Sequence, residues 1–118
     1  MPNDSLSALA KLVLDFRTAR DWKQFHTPKE LAISLVVEAA ELLEIFQWRQ
    51  AQDLDEAIQK RKSEIADELG DCLHSILLLA HDLKIDLGEA LAEKMRKMEA
   101  KYPVAKAKGK PKKYNELD

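Results

Sequence analysis

Acidic residues recur at helical spacing in two segments that are otherwise apolar. Glu38 and Glu41 interrupt the apolar stretch 31–46, and Glu68 and Asp71 lead into a second apolar stretch. Residues three apart on an α-helix share a face, so each pair presents two carboxylates in one direction. A buried carboxylate is costly unless it is paired or coordinates a metal, and neither segment contains a lysine or arginine between its acids. The spacing therefore predicts a site for a hard divalent cation such as Mg²⁺.

The composition favours one small helical domain. The chain has 118 residues, and glycine, proline and aromatic residues are scarce beside alanine, leucine, glutamate and lysine. This balance is typical of an all-α protein, and the length fits a single domain. A core of this size is modest, so assembly into an oligomer would add stability.

Charge is unevenly distributed along the chain. The net charge is −2, but residues 101–118 carry six lysines against two acidic residues, which leaves −6 on the remainder. We predict a helical domain over residues 1–103 and a lysine-rich tail over residues 104–118. No apolar run reaches membrane-spanning length, and the start lacks the form of a signal peptide. The single cysteine, Cys72, suits a reducing compartment, so we expect a cytoplasmic protein that does not associate with membranes.

Apolar spacing marks the first helix, and a capping box marks the second. The apolar spacing over residues 6–16 predicts a helix from about Ser5 to Arg20. Residues 21–26 form an aromatic-rich connection. Thr27-Pro28-Lys29-Glu30 is a capping box with proline at the first helical position, and it predicts a second helix that reaches about Trp48.

The sequence marks the start of the third helix less clearly than the start of the fourth. The polar stretch 49–62 is ambiguous, and Asp53–Glu56 is able to cap a long third helix that ends near Leu83. Residues 86–89 form a further capping box. They open a fourth helix that we expect to end at Tyr102, because the next residue is proline.

The second predicted helix is apolar on nearly every side. A bundle of 118 residues is too small to surround such a helix completely. The remaining apolar faces of this helix and of Ile76–Ala80 therefore predict a subunit interface. The alternative is an ordinary central helix whose glutamates face a polar edge.

Several motifs follow one another along the chain in a specific order. They are Arg20–Pro28, Glu38–Leu42, Phe46–Trp48, Asp67–Asp71, Lys94–Met95, Lys101–Pro103 and Lys113–Leu117. One ExxE motif is weak evidence, whereas ExxE followed by ExxD between these aromatic motifs is specific. With them the chain resembles the MazG-type all-α nucleotide pyrophosphohydrolases, and within that family the small dCTP pyrophosphatase branch.

The resemblance implies both an assembly and an activity. The implied fold is a MazG-like four-helix bundle that forms a tight dimer or a dimer of dimers, with a homotetramer favoured. The implied activity is Mg²⁺-dependent hydrolysis of a nucleoside triphosphate to the monophosphate and pyrophosphate, with Mn²⁺ able to substitute. The expected substrate is dCTP or a modified dCTP, and the role is nucleotide-pool control or house-cleaning.

The carboxylates take the catalytic roles in this interpretation. Glu38, Glu41, Glu68 and Asp71 hold the metal, which neutralises phosphate oxygens and lowers the pKa of the attacking water. A carboxylate that the metal does not saturate, Glu38 or Glu44, accepts the water's proton. The residues alone do not choose between these two.

Substrate contacts fall into two groups. The family's base pocket corresponds to Trp22, Phe25, His26 and Trp48. Candidates for the outer phosphates come from the fourth helix and the tail: Lys94, Arg96, Lys101, Tyr102, Lys112 and Lys113. Aromatic faces stack on any base, so nearby polar groups must discriminate between bases.

Three positions depart from the family's patterns. Met98 stands where many relatives have asparagine, and Val13 stands where vertebrate members have a histidine that faces the base. We therefore expect weaker selectivity for cytosine. Val37 stands where the usual MazG pattern has the first acid of a glutamate doublet, and the dCTP branch likewise lacks that acid.

Two other classes of protein explain part of the sequence. A non-catalytic helical interaction module accounts for the apolar helices but not for the acidic pairs. Nucleic-acid binding rests on the lysine-rich tail alone, in which Tyr114 is the one aromatic residue, and we expect none. A rise in melting temperature on adding Mg²⁺ would separate the enzyme from the interaction module.

Overall fold

Every regular element of the protein is helical. The computed structural model describes residues 5–117, and within them it contains six α-helices, two short 3₁₀ helices and no β-strand. The α-helices are α1 (Leu6–Ala19), α2 (Pro28–Phe46), α3 (Ala51–Lys60), α4 (Lys62–Asp82), α5 (Leu87–Lys101) and α6 (Val104–Ala107). The 3₁₀ helices are Lys23–Phe25 and Tyr114–Glu116. The prediction of an all-α protein is confirmed.

Three helices begin at their predicted starts, each behind a capping side chain. The side chains of Ser5, Thr27 and Asp86 each accept a hydrogen bond from the backbone N–H three residues further on, at 3.3, 3.1 and 2.9 Å. Each bond satisfies one of the N–H groups that the first turn of a helix leaves without an intrahelical partner. The starts of α1, α2 and α5 therefore follow from local sequence.

The prediction of one long third helix is wrong. The helix α3 begins at Ala51 after Gln50, so Asp53–Glu56 lie inside it rather than at its cap. The chain then leaves helical geometry at Arg61, with φ −113° and ψ 20°, before α4 begins. The break lets α3 pack against both α2 and α4. A straight helix over residues 51–82 would be about 48 Å long and could not fold back in this way.

The core lies where α2 and α1 pack against α4. Its buried apolar side chains are Leu31 and Ile45 of α2, Ala57 of α3, and Leu77, Leu78 and Ala80 of α4. The apolar segment Ile76–Ala80 is thus largely used inside the chain. That removes one of the two arguments for a subunit interface.

The second argument is strengthened, because α2 keeps a large apolar face outside this core. Ile33, Val37 and Leu43 are about half exposed, and Val36 is 68% exposed. Exposed apolar side chains that are contiguous on one helix are typical of a surface that another molecule covers.

Tertiary contacts divide the chain into two compact units, one up to Lys84 and one from Ile85 onward. In the second unit the rings of Tyr102 and Tyr114 meet edge to face, with centroids 6.2 Å apart. The Lys101 ammonium lies 4.7 Å from the centroid of the Tyr114 ring. The end of α5 and the 3₁₀ helix of the predicted tail therefore pack together. None of the helices within residues 5–117 combines the length and the apolarity needed to cross a bilayer.

Candidate active site

Three carboxylates from two helices meet at the α2–α4 contact. Glu38 and Glu41 of α2 and Glu68 of α4 each bring one oxygen to within 4.8 Å of the others. Glu38 and Glu41 share a face because they are three residues apart, and the packing of α2 on α4 brings Glu68 to that face. Oxygens that share one divalent cation need this kind of spacing.

Two oxygens of this carboxylate cluster are buried without a donor. Within residues 5–117, Oε2 of Glu38 and Oε2 of Glu68 have no hydrogen-bond partner. Buried polar atoms nearly always have a partner, so two neighbouring acceptors without one require an explanation. A bound cation supplies one, and a donor set made only of carboxylate oxygens suits Mg²⁺ or Mn²⁺.

The electrostatics of the cluster favour the same interpretation. Burial, together with the nearby carboxylates of Glu41, Glu68 and Asp71, raises the pKa of Glu38 to about 7. Burial also raises the pKa of Glu68. Three carboxylates this close repel one another when all are ionised, and a cation among them would favour the ionised forms.

Asp71 lies beside the cluster, although it does not contribute one of the three clustered carboxylate oxygens. With Glu38 it lines a cavity of about 270 Å³ whose other lining residues are His26, Leu31, Ser34, His74 and Ser75. Its charge also acts on Glu38 and Glu68. All four predicted metal ligands are therefore close together.

The lining of this cavity is rich in hydrogen-bonding groups. Nδ1 of His26 is buried and has no partner in the described part of the chain. Burial lowers the pKa of His74, so this imidazole is neutral at physiological pH and offers one donor and one acceptor. The cavity thus places several polar groups next to the carboxylates.

Three polar residues that line this cavity are not among the predicted site residues, namely Ser34, His74 and Ser75. Their spacing carries the signal that would have identified them. Ser34 precedes Glu38 by one helical turn, and the other two follow Asp71 by three and four residues. Side chains at these intervals share a helix face with the acids.

A second cavity of about 510 Å³ lies between α1 and α4. Leu12, Val13 and Phe16 line it from α1, and Gly70, Asp71 and His74 line it from α4. Asp71 and His74 therefore border both cavities. Val13, one of the positions that departs from the family pattern, faces this mainly apolar space.

The predicted base-binding residues are in different settings. His26 lines the cavity beside Glu38, whereas Trp22, Phe25 and Trp48 are exposed. Trp22 packs edge to face against Phe16, with ring centroids 5.7 Å apart. Trp48 follows the end of α2 and is 84% exposed.

The remaining predicted residues lie outside the carboxylate cluster. Glu44 is exposed on α2, one residue short of a full turn beyond Glu41. The phosphate-binding candidates Lys94, Arg96, Lys101, Tyr102, Lys112 and Lys113 all belong to the second unit. Of these, Arg96 is paired with Glu93 within α5.

Comparison with known proteins identifies the same family along most of the chain. The profile of the MazG-like family matches residues 33–117. The dCTP pyrophosphatase 1 of Rattus norvegicus is 36% identical over an alignment that covers 98% of this chain and 69% of the relative. The dCTP pyrophosphatase 1 of Homo sapiens is 34% identical over an alignment that also covers 98% of this chain and 69% of the relative.

A solved structure agrees with these relatives. The crystal structure of a pyrophosphatase from Archaeoglobus fulgidus matches with a TM-score of 0.78 and 43% identity. The match covers 82% of this chain and 91% of the archaeal one. The predicted resemblance is confirmed, and the chain belongs to the MazG-like family.

Proposed function

We propose that the protein is a Mg²⁺-dependent pyrophosphohydrolase that converts dCTP or a modified dCTP to the monophosphate and pyrophosphate. Relatives named dCTP pyrophosphatase 1 support the class of nucleoside triphosphate pyrophosphatase. The observation that carries the mechanism is the cluster of Glu38, Glu41 and Glu68, with two buried oxygens that lack a donor. An interaction module would have no use for such a cluster.

In this proposal Glu38, Glu41 and Glu68 hold Mg²⁺, and Asp71 completes the acidic side of the site. Mg²⁺ held there would supply positive charge to neutralise phosphate oxygens and to lower the pKa of an attacking water. A triphosphate is itself highly anionic, so these carboxylates would repel it without a cation between them. Mn²⁺ suits the same oxygen donors.

Proton acceptance is assigned to Glu38 rather than Glu44. Glu38 belongs to the carboxylate cluster, so a water bound to a cation held there would lie within its reach. A carboxylate has two oxygens, so one oxygen of Glu38 is able to bind the cation while the other receives the proton. The exposed Glu44 offers neither advantage.

The cavity beside Glu38 is proposed to hold polar groups of the nucleotide. The unpartnered Nδ1 of His26 and the side chains of Ser34, His74 and Ser75 supply the polar groups that stacking residues lack. Stacking by Trp22, Phe25 and Trp48 remains a prediction. So does binding of the outer phosphates by the basic residues of α5 and the tail.

The proposed function is tested by identifying products from a panel of nucleoside triphosphates. The panel contains the ribo- and deoxyribonucleotides of all bases and 5-methyl-dCTP, each assayed with Mg²⁺, with Mn²⁺ and with a chelator. We expect monophosphate and pyrophosphate in equal amounts, and no activity with the chelator. In ¹⁸O-labelled water the label should enter the monophosphate, because the water attacks the α-phosphorus.

Orthophosphate as the first product, or label in the pyrophosphate, would reject the mechanism. Equal rates for every base would reject only the preference for cytosine.

We also propose a homo-oligomer, with a dimer of dimers favoured, whose interface includes the apolar face of α2. Val36 is the most exposed of its large side chains, at 68%. Val36→Glu should lower the molecular mass seen by light scattering, because a buried charge without a partner is costly. The wild-type melting temperature should rise with protein concentration.

Val104→Glu is the matched control, since Val104 is 76% exposed on the short helix α6. It should leave the mass unchanged. A wild-type monomer at micromolar concentration, with a melting temperature independent of concentration, would contradict the proposed assembly.

A further inference from the structure

A buried ion pair joins α1 to the end of α4. The Arg17 guanidinium donates two hydrogen bonds to the Asp82 carboxylate, from Nη1 to Oδ2 at 2.8 Å and from Nη2 to Oδ1 at 2.7 Å. Both side chains are almost fully buried, at 3% and 7% exposure. The hydrogen bonds from Arg17 hold the pKa of Asp82 below its ordinary value. Lys23 lies 4.0 Å from the same carboxylate but is mostly exposed.

A paired and fork-shaped contact of this kind fixes geometry. Two parallel N–H···O bonds define both the distance and the relative orientation of the two groups. Burying such a pair often adds little net stability compared with apolar side chains of similar volume. We therefore expect the pair to act by positioning the segments that it joins rather than by adding stability.

Arg17 also builds the turn that carries Trp22. Its backbone carbonyl accepts hydrogen bonds from the N–H groups of Arg20, at 3.3 Å, and Trp22, at 3.2 Å. Asp21 between them has φ 52°, a left-handed conformation that is uncommon for a residue other than glycine. Arg17 thus contacts α4 through its side chain and fixes the direction of Trp22 through its backbone carbonyl.

Arg17 follows directly after a residue that lines the second cavity. Leu12, Val13 and Phe16 form the α1 wall of that cavity, and Phe16 directly precedes Arg17. Burial lowers the pKa of His74 on the α4 wall, and the positive charge of Arg17 lowers it further. Arg17 is therefore within electrostatic reach of the residues that border both cavities.

We propose that Arg17 is a positioning residue for nucleotide binding. Its ion pair with Asp82 sets the α1 wall and the turn of Trp22 relative to the α4 residues that line the site. This inference rests on the proposed function, since it assigns Arg17 a part in binding the same substrate. It makes Arg17 important for binding rather than for the chemical step.

The decisive variant is the double substitution Arg17→Met with Asp82→Leu. It replaces the buried pair by apolar side chains of similar size, so the fold and its melting temperature should be kept. We expect KM for dCTP to rise about tenfold with kcat within about threefold of wild type, because a small misplacement of a binding wall weakens productive binding. The Kd of an α,β-imido analogue of dCTP, measured by calorimetry, should rise by the same factor.

Trp22 provides a readout that does not depend on turnover. In a Trp48→Phe background it is the one remaining tryptophan of the chain. Its emission should shift to longer wavelength and become easier to quench when the ion pair is removed. If the wild-type protein releases no pyrophosphate, the proposed function fails, and the emission of Trp22 still decides whether Arg17 positions this turn.

An unchanged KM, Kd and Trp22 emission in a folded double variant would overturn the inference and leave the pair a structural role only. A fall in kcat at constant KM would overturn it as well. If the double variant does not fold, Arg17→Lys takes its place, since it keeps the charge of the buried pair but loses the two parallel hydrogen bonds. A raised KM in that variant supports positioning, and a KM equal to wild type overturns it.

Discussion

Glu41→Gln and Glu68→Gln are each expected to reduce kcat by about a hundredfold or more, the order seen when a group that stabilises transition-state charge is removed. Both side chains bring an oxygen to the three-carboxylate cluster, from α2 and from α4. Glutamine keeps the shape of each side chain but removes its negative charge. The measurement is the steady-state rate of pyrophosphate release at saturating Mg²⁺, with circular dichroism to show that the helical fold is kept.

Glu56→Gln is the matched control for these variants. Glu56 lies on α3, 67% exposed, in an ordinary surface ion pair with Lys60. The same chemical change there should leave kcat unchanged and alter stability only slightly, since exposed pairs of this kind contribute little. Near-normal turnover in both cluster variants would show that these carboxylates do not hold the catalytic cation.

The stability of the same variants should change in the opposite direction. The pKa of Glu38 is about 7 in the folded protein and 4.5 in its ordinary state, so between these values the folded form binds more protons than the unfolded form. Without metal, the contribution of Glu38 to the free energy of unfolding should therefore fall as pH rises from about 4.5 to about 7. Glu68→Gln removes one of the repelling charges, so we expect its melting temperature in chelator to exceed that of wild type at pH 8, about one unit above the raised pKa.

Mg²⁺ should reverse this order. A cation that binds the ionised carboxylates stabilises wild type above neutral pH, and the variant with one ligand fewer should gain less. Thermal melts at several pH values, with chelator and with Mg²⁺, measure both effects. A wild-type melting temperature that rises between about pH 4.5 and about pH 7 in chelator would contradict the assigned pKa of Glu38.

The parts of this fold that sequence predicts are those set by neighbours along the chain. Thr27 and Asp86 each bond a backbone N–H three residues further on, so the helix start is a local event. The same-face placement of Glu38 and Glu41 is equally local. A metal site that uses both acidic pairs further requires the two helices to meet.

Other features depend on packing between distant segments and leave no local signal. The break at Arg61 involves neither glycine nor proline and exists because α3 packs on two helices at once. Arg17 resembles any basic residue on the surface of α1, yet it is buried against Asp82, 65 residues away. Ile76–Ala80 looked like an interface because periodicity shows that a face is apolar but not which surface covers it.

Trp48→Ala is expected to raise KM for dCTP by about five- to 150-fold, which corresponds to the roughly 1–3 kcal/mol of one lost stacking contact. The indole follows the last turn of α2, and Phe46 at the end of that helix lies about 8 Å along the axis from Glu41. It is 84% exposed, although aromatic side chains of this size usually bury much of their surface. A nucleobase stacked on it would cover that surface.

The variant should leave kcat almost unchanged, because the indole contacts the base and not the reacting phosphorus. Trp48→Phe is the matched control, since it keeps an aromatic face and should recover most of the lost affinity. The competing explanation is that a second copy of the chain covers the indole. In that case Trp48→Ala would change the mass seen by light scattering and leave KM at the wild-type value, and the stacking role would be wrong. A raised KM at unchanged mass, reversed by phenylalanine, would instead place Trp48 on the base.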